Sequence, residues 1–287
     1  MNKKPIENLV ITSDHHCGSS YSICPAKDKI QVSDSDFMAP NEMQTELIEY
    51  WGKKGEKGSF WDWVDTKTGG TFDWCINGDQ VDGAHHKSYA RMTDQKTYQT
   101  QMAVDIIKPV PYRRLFMTYG TPAHDGIDGA SIVGIANELK AEFTPGATHV
   151  RRNRVNHSRR FRFPNDALVD VKHHGRIAVP RNKPNLLYGE WVDCCVNRSL
   201  LHLPVPDMVV RSHGHEWKSC GVPAKLVRDV SIMLPGWQFL TPWAQAQPLS
   251  ARNAVVNIGG VLLQIEDGRV VTHVKYWNVE QEEETIL

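Results

Sequence analysis

The chain has 287 residues, and its 33 Lys plus Arg balance its 33 Asp plus Glu. This length suits one large domain or two modest ones, and the balanced charge gives no global field that would recruit or repel nucleic acid. Hydrophobic residues make up 40% and charged residues 23%, which argues against disorder and fibrous repeats. The thirteen His are the unusual feature, because His is the commonest metal ligand.

Five short apolar runs predict strands, and each run ends in a polar turn. β-Branched and aromatic residues dominate the runs, and polar residues or glycine follow them. Polar turns at the ends of neighbouring strands can meet at one edge of a sheet. The runs are residues 9–12, 72–76, 115–119, 167–171 and 208–210.

The segments between these strands include three predicted helices, at residues 41–51, 95–107 and 129–142. In the third helix, apolar residues spaced three and four apart share one face. Strands that alternate with helices indicate the α/β class.

The C-terminal part, residues 226–287, is β-rich. Runs at 255–265 and 270–277 flank Glu266-Asp267-Gly268, which is typical of a hairpin turn, and we expect a second sheet there. The whole chain, 1–287, is predicted to be a single domain with loop insertions near residues 19–40, 52–70 and 146–164.

The N-terminal segment predicts neither secretion nor a membrane anchor. Its apolar run ends before Asp14 and is too short for a signal peptide or a membrane span. The six cysteines contain no CxxC pair, and the adjacent Cys194 and Cys195 cannot easily form an ordinary disulfide. We therefore expect a cytoplasmic protein with no membrane partner.

Two acidic turns follow the first two predicted strands. Asp14 and His16 are one residue apart, so their side chains can point to the same side and chelate one cation. Asp79 follows Gly78, which allows a tight turn, and its two carboxylate oxygens can bridge two cations. Either pattern alone also fits a solvated turn, and an Asx-turn explains Asp79 or Asp82 equally well.

Two pairs of His follow the later strands. His213 and His215 have a glycine between them and can serve two neighbouring ions, whereas His173 and His174 can also be partly buried residues bonded to the backbone. His residues at positions 85–86 could line the same pocket, although a solvated loop explains them as well. The succession of four such blocks after successive strands favours one shared metal site.

These blocks resemble the calcineurin-like metallophosphoesterase family, in which they read Asp-x-His, Gly-Asp-x-x-Asp, a lone His before Gly, and Gly-His-x-His. The resemblance runs from Asp14 to His215 and implies a four-layer α-β-β-α sandwich of two mixed sheets flanked by helices, with the metal site at the strand ends. It implies two divalent cations bridged by Asp79. The other ligands implied are Asp14, His16 and His215 for the first cation, and His213 with His174, or alternatively His173, for the second.

The third block departs from the family pattern. Gly120-Thr121-Pro122-Ala123-His124-Asp125 stands where the family has Gly-Asn-His-Asp or Gly-Asn-His-Glu, so the Asn ligand is missing. His124 is expected either to be the catalytic His that protonates the leaving oxygen or to replace the missing ligand, and Thr121 offers a weaker oxygen ligand. In the last block Ser212 replaces a Gly and leaves both imidazoles in place.

The resemblance implies a hydrolase acting on phosphoric esters. Two cations about 3.5–4 Å apart ionise a shared water that attacks phosphorus in line. Oxygen and nitrogen ligands favour Mn²⁺, Fe or Zn²⁺, and the resemblance favours Mn²⁺.

The substrate expected is a nucleic-acid or nucleotide phosphodiester, because residues 150–163 combine Arg with aromatic side chains that could grip phosphate and stack on bases. A basic hairpin with Phe161 and Phe163 facing the core explains this segment equally well. The alternatives are a phosphomonoesterase or protein phosphatase, a metal-dependent amidase, and a non-catalytic binding module on the same fold.

Overall fold

The computed structural model describes residues 5–83, 90–143, 153–174, 183–222, 224–245 and 256–279. The strands are β1 (Asn8–Thr12), β2 (Ile30–Gln31), β3 (Phe37–Met38), β4 (Asp73–Asn77), β5 (Arg114–Thr118), β6 (Val155–Asn156), β7 (Arg159–Arg162), β8 (Leu168–Val171), β9 (Met208–Arg211), β10 (Lys218–Cys220), β11 (Ser231–Met233), β12 (Asn257–Glu266) and β13 (Arg269–Asn278). The helices are α1 (Glu42–Trp51), α2 (Phe60–Thr68), α3 (Lys96–Ile107), α4 (Pro122–Asp125), α5 (Ala130–Glu138), α6 (Lys183–Leu200) and α7 (Pro242–Gln245).

The strands form two large mixed sheets and one small hairpin, which together with the helices confirm the α/β class. The six-stranded sheet has the order β13-β12-β1-β4-β5-β6, with β1, β4, β5 and β6 parallel. The five-stranded sheet has the order β10-β11-β9-β8-β7, and β8, β9 and β11 are parallel. The strands β2 and β3 pair only with each other.

Two hydrophobic cores lie on opposite faces of the six-stranded sheet. Because side chains alternate along a strand, Val10 points into a core shared with α1, α2, α3 and α5, whereas Leu9 and Ile11 point into the other core. That second core also contains Val169 and Val210 of the five-stranded sheet, so the two sheets pack against each other. The helix α6 contacts β9, β10 and β11.

The predicted strands and helices up to residue 142 agree with the structure to within a few residues at each end. Asn41 caps α1 through a capping box, in which its side chain accepts from the Gln44 N–H and the Gln44 side chain accepts from the Asn41 N–H. The helix α6 was not predicted. Its residues alternate between apolar and polar without a clear period, and Gly189 lies in its middle.

Two other predictions, on the C-terminal hairpin and on the loop at 52–70, were wrong. The C-terminal hairpin β12–β13 does not begin a second sheet, because β12 pairs antiparallel with β1 and extends the first one. The predicted loop at 52–70 contains α2, whose N-cap Ser59 accepts from the Asp62 N–H, while the predicted loop at 19–40 contains only the β2–β3 hairpin. Within the described residues, no helix is long and apolar enough to cross a membrane.

Candidate metal centre

The first two strands of the site place two carboxylates side by side. Backbone pairing continues past the ends of β1 and β4, since the Asp14 N–H donates to Gly78 O (3.2 Å) and the His16 N–H donates to Asp79 O (3.0 Å). Asp14 and Asp79 are completely buried. Two buried carboxylates at adjacent strand ends form a strongly anionic point in the fold.

Asp14 directs one oxygen to the protein backbone and the other to imidazoles. Its Oδ2 accepts from the His213 N–H (3.3 Å), so the turn after β9 is fixed to the turn after β1. Its Oδ1 lies 3.3 Å from His215 Nε2 and 3.8 Å from the Nε2 atoms of both His16 and His173. His16 Nε2 and His215 Nε2 are 3.2 Å apart.

Asp79 has the same division between its two oxygens. Its Oδ1 accepts from the Thr121 N–H (2.5 Å) and the Thr121 hydroxyl (3.1 Å). Its Oδ2 faces His173 Nε2 at 2.9 Å, His213 Nδ1 at 3.5 Å and His124 Nε2 at 4.0 Å. Thr121 therefore positions this carboxylate, and His124 is the residue of the Gly120–Asp125 block that brings an imidazole nitrogen towards it.

Two of these imidazoles are oriented by backbone carbonyls. His173 Nδ1 is 2.6 Å from Asn77 O, and His124 Nδ1 is 2.7 Å from Asp82 O. A carbonyl only accepts hydrogen bonds, so each Nδ1 carries the proton and each Nε2 is turned towards the carboxylates. Metal-binding His residues commonly donate their other ring N–H to a carbonyl in this way.

The side chains form three overlapping groups that could each hold a metal ion, with ligand atoms all within 4.8 Å of one another in each group. Ligand atoms bound at about 2.1 Å to one cation lie roughly 3.0–3.4 Å apart in regular geometries, so a small contraction would suffice. The groups share their carboxylates and His16. They are Asp14, Asp79, His173 and His213; Asp14, His16 and His215; and His16, Asp79 and His124.

The electrostatics of the cluster favour ionised carboxylates. Burial alone would raise the pKa values of Asp14 and Asp79, but the surrounding His residues hold both well below 3.8. Burial alone would lower the pKa of His173, but Asp79 and Asp14 raise it to about 10. Burial lowers the pKa of His16 to about 3, so this ring is neutral and keeps a lone pair for a cation.

Three polar atoms of the cluster are buried without a well-formed hydrogen bond. Asp14 Oδ1, His16 Nδ1 and His173 Nε2 make no hydrogen bond of good geometry with the residues that the structure describes, although His173 Nε2 lies 2.9 Å from Asp79 Oδ2. Burying such atoms without a partner costs about 1–3 kcal/mol each. A divalent cation would satisfy the first and the third of them, since both belong to the same ligand group.

The backbone of the cluster has an unusual conformation. Asp14, His16, Asp79, His213 and His215 all have positive φ angles, between 45° and 70°. They are five of the nine non-glycine residues with positive φ in the described part of the chain. Such conformations cost of order ~1–3 kcal/mol each and concentrate at functional sites.

Two glycines allow the close packing of the turns. A Cβ on Gly78 (φ +78°) would lie 2.6 Å from the His173 ring, and a Cβ on Gly120 would lie 2.1 Å from Asp79 Oδ1. Any larger residue at either position would displace a cluster side chain.

The structure brings His173, rather than the favoured His174, to the carboxylates. His173 is buried, whereas His174 is exposed, with its ring centroid 5.0 Å from that of His213. The alternation along β8 continues past the strand end, so Val171 and His173 are buried while the residues after each are exposed. This period of two was visible in the sequence and distinguishes the two His residues.

The other predicted site residues divide into two sets. Asp14, His16, Asp79, His124, His213 and His215 all lie in the cluster. His15, which was not predicted to be a ligand, lies in the core, where its two ring nitrogens bond Gln80 Oε1 (2.7 Å) and Thr12 Oγ1 (3.1 Å). The His pair at 85–86 lies outside the described residues.

Sequence reasoning missed Asn77, which links four strand ends. Its carbonyl accepts from His173, its Oδ1 accepts from Thr118 Oγ1 (2.7 Å), and its Nδ2 donates to Ser212 Oγ. Ser212 therefore acts as an acceptor that anchors the His213 turn, a role that a glycine could not have. In the sequence, the position of Asn77 before Gly78 did not indicate this linking role.

The Arg-rich segment at residues 150–163 has fewer side chains available for contact with a nucleic acid than its composition suggests. Phe161 and Phe163 are 3% and 2% exposed and pack in the core between the sheets, so they cannot stack on bases. Arg159 is buried and donates to the carbonyls of Met117 and Glu142. The side chains of Arg160 and Arg162 remain exposed.

Comparison with known proteins identifies no family. No protein-family model and no curated protein match the chain. One similar solved structure is the solution NMR structure of a Thermotoga maritima protein, at 10% identity and a TM-score of 0.32, covering 95% of this chain and 100% of that one. The functional argument therefore depends on the site itself.

Proposed function

We propose that the chain is a dinuclear-metal phosphoesterase, most closely resembling the calcineurin-like metallophosphoesterases. The observation that carries the proposal is the arrangement of Asp14 and Asp79. Each directs one oxygen to a backbone N–H and the other to several imidazole nitrogens, and both are completely buried. Burying two carboxylates beside several imidazoles costs free energy in a core without metal, whereas these groups are well suited as ligands of two divalent cations.

The ligands divide between two positions. One cation would be held by Asp14, His16 and His215, and the other by Asp79, His173 and His213. Asp79 also lies within 4.8 Å of the ligand nitrogens of His16 and His124, so it is close to both cation positions. Nitrogen and carboxylate ligands suit Mn²⁺, Fe or Zn²⁺, and Mn²⁺ is the first candidate. When bound, the two cations supply an activated water and neutralise charge on the phosphoryl oxygens.

The residues of this chain orient the reaction. Substrate would approach along the open side of the cluster, where the side chains of His213, His215 and His124 are 25%, 17% and 12% exposed. The Nδ1–H of His124 is held by Asp82 O, so in its imidazolium form the ring would present a second proton, on Nε2, to the leaving oxygen. Asp79 keeps its orientation through the two hydrogen bonds from Thr121.

The fold that we infer to carry this site is a four-layer α-β-β-α sandwich within one domain. It is supported by the core between the two sheets and by the placement of helices outside them, with α6 against the five-stranded sheet. All the proposed ligands then lie in turns after strands of the two sheets.

A nucleic-acid or nucleotide phosphodiester remains the proposed substrate class, with exposed Arg160 and Arg162 as phosphate contacts. Because Phe161 and Phe163 are buried, the proposal no longer includes stacking of bases on this segment. Single-stranded DNA, RNA, cyclic nucleotides and phosphomonoesters, each assayed with Mn²⁺, Fe²⁺ or Zn²⁺, distinguish a diesterase from a monoesterase.

The primary test uses bis-p-nitrophenyl phosphate. We expect turnover to disappear in EDTA and to return with Mn²⁺, and Asp79→Asn to abolish it. The matched control is Asp128→Asn, since Asp128 is an exposed residue whose Oδ1 accepts from the Ala130 N–H, a role that Asn also fills. Metal-loaded protein that is inert on every phosphoester would refute the enzyme and leave a metal-binding module, and turnover of amides instead would indicate an amidase.

A further inference from the structure

A cavity lies on the helical side of the six-stranded sheet and shares no residue with the metal cluster. It has a volume of about 300 Å³, at the lower end of the range for small-molecule sites. Its walls come from the segment 23–26, the ends of α1 and α3, the loop residues 52–54 and 56, the start of α2, and residues 109–111.

The walls of the cavity are apolar and well fixed. Trp51 and Trp61 form an edge-to-face pair with ring centroids 5.1 Å apart, and they are joined by isoleucines, a valine and three prolines. Proline has a fixed φ angle, so this part of the wall needs little ordering when a ligand binds. Flat aromatic walls of this kind favour a planar ligand.

The polar groups around the cavity leave donors without acceptors. The Nε1 atoms of Trp51 and Trp61 and the Nζ atom of Lys53 make no hydrogen bond or ion pair with any residue that the structure describes. Of the two acids in the lining, Asp105 pairs with Lys27, and one carboxylate oxygen of the exposed Glu56 accepts from the Lys53 N–H (2.8 Å).

We propose that this cavity binds a small aromatic carboxylate, with its rings between Trp51 and Pro109 and its carboxylate towards Lys53. An apolar body fits the walls, and an acceptor is the group that the unpartnered donors lack. A neutral ligand of the same shape would fill the cavity but make no charge-assisted hydrogen bond with the exposed Lys53 ammonium.

The test is a titration of the full-length chain, carrying ¹⁵N-labelled tryptophan, with 2-naphthoate and with the neutral analogue 2-naphthalenemethanol. We expect saturable shifts of the Trp51 and Trp61 indole N–H signals, assigned with Trp51→Phe and Trp61→Phe. Naphthoate should bind about tenfold more tightly than the alcohol, the difference expected for one charge-assisted hydrogen bond. Lys53→Met should remove that difference, whereas Lys57→Met, at an exposed lysine outside the lining, should keep it.

A variant that blocks the opening of the cavity tests whether naphthoate binds inside it. Ala26 lines the cavity and is exposed, so Ala26→Phe should block naphthoate without disturbing the core. Absence of saturable binding at millimolar naphthoate overturns the proposal. So does binding that survives Ala26→Phe, that leaves both indole signals unmoved, or that does not change in Lys53→Met.

Discussion

Binding of Mn²⁺ should stabilise the protein through Asp79, and the effect can be measured without any substrate. A ligand at a hundred times its dissociation constant adds about 2.7 kcal/mol to the free energy of unfolding. For a chain of this size each kcal/mol raises Tm by roughly 2–4 °C. We therefore expect Mn²⁺ to raise Tm by about 5–10 °C over the EDTA-treated protein.

Asp79→Asn should remove nearly all of this shift. Asp79 belongs to two of the three possible metal groups, and as the proposed bridging ligand it would also contact the cation held by Asp14, His16 and His215, so one substitution should weaken both cation positions. A hundredfold loss of affinity leaves about 0.4 kcal/mol at the same Mn²⁺ concentration, which is a Tm shift of roughly 1 °C. The difference between Tm with Mn²⁺ and with EDTA is compared, so any change in metal-free stability cancels.

Differential scanning calorimetry of both forms, with Asp128→Asn as the control, decides the matter. Asp128 is an exposed residue near the start of α5, so its variant should keep the full Mn²⁺ shift. An unchanged shift in Asp79→Asn would show that Mn²⁺ binds elsewhere, and the two-cation argument would fail.

Three further predictions follow from single contacts. His173→Gln should lower activity and Mn²⁺ affinity at least about a hundredfold, whereas His174→Gln should change neither by more than a few-fold; equal effects would contradict the assignment. Gly120→Ala should abolish turnover because the added methyl would lie 2.1 Å from a site carboxylate, while Gly134→Ala, with 3.9 Å of clearance inside α5, should retain it. Burial alone would raise the pKa of Asp73, but hydrogen bonds from two arginines lower it below 3.8. Asp73 should therefore add about 1–3 kcal/mol to the free energy of unfolding above pH 3.8, and this contribution should be lost as pH falls through the pKa of the folded state. Urea unfolding of Asp73→Asn across this pH range checks the sign, and a deficit that stays constant down to low pH would contradict it.

The strands β1, β4 and β5 and the helices α1, α3 and α5 were predictable because each has a strong local signal. β1 is a short β-branched run that is buried on both faces, and α1 begins at Asn41 with a capping box. The sheet to which the C-terminal hairpin belongs was not predictable. That choice depends on long-range pairing of β12 with β1, from Asn8 with Gln264 to Ile11 with Val261, and no local pattern encodes it.

The site was predictable residue by residue where ligands follow a strand directly. Asp14, His16, Asp79, His213 and His215 were all identified in this way and lie together. The groups that orient them were not identified, because their roles arise from contacts between turns far apart in the chain. Asn77, for example, bonds His173 and Ser212, which are 96 and 135 residues away in sequence.

Backbone hydrogen bonds between the turns of the cluster hold its residues in their strained conformation. Five residues with positive φ cost together about 5–15 kcal/mol, which is comparable to the stability of a whole domain. Backbone pairing between the turns already offsets part of that cost, as the His16 N–H to Asp79 O and Trp237 N–H to Asp14 O bonds show. If the cations alone held these angles, EDTA would unfold the protein; because hydrogen bonds from both sheets hold them, EDTA-treated protein should keep its far-ultraviolet circular dichroism while it loses the Mn²⁺-dependent part of its Tm.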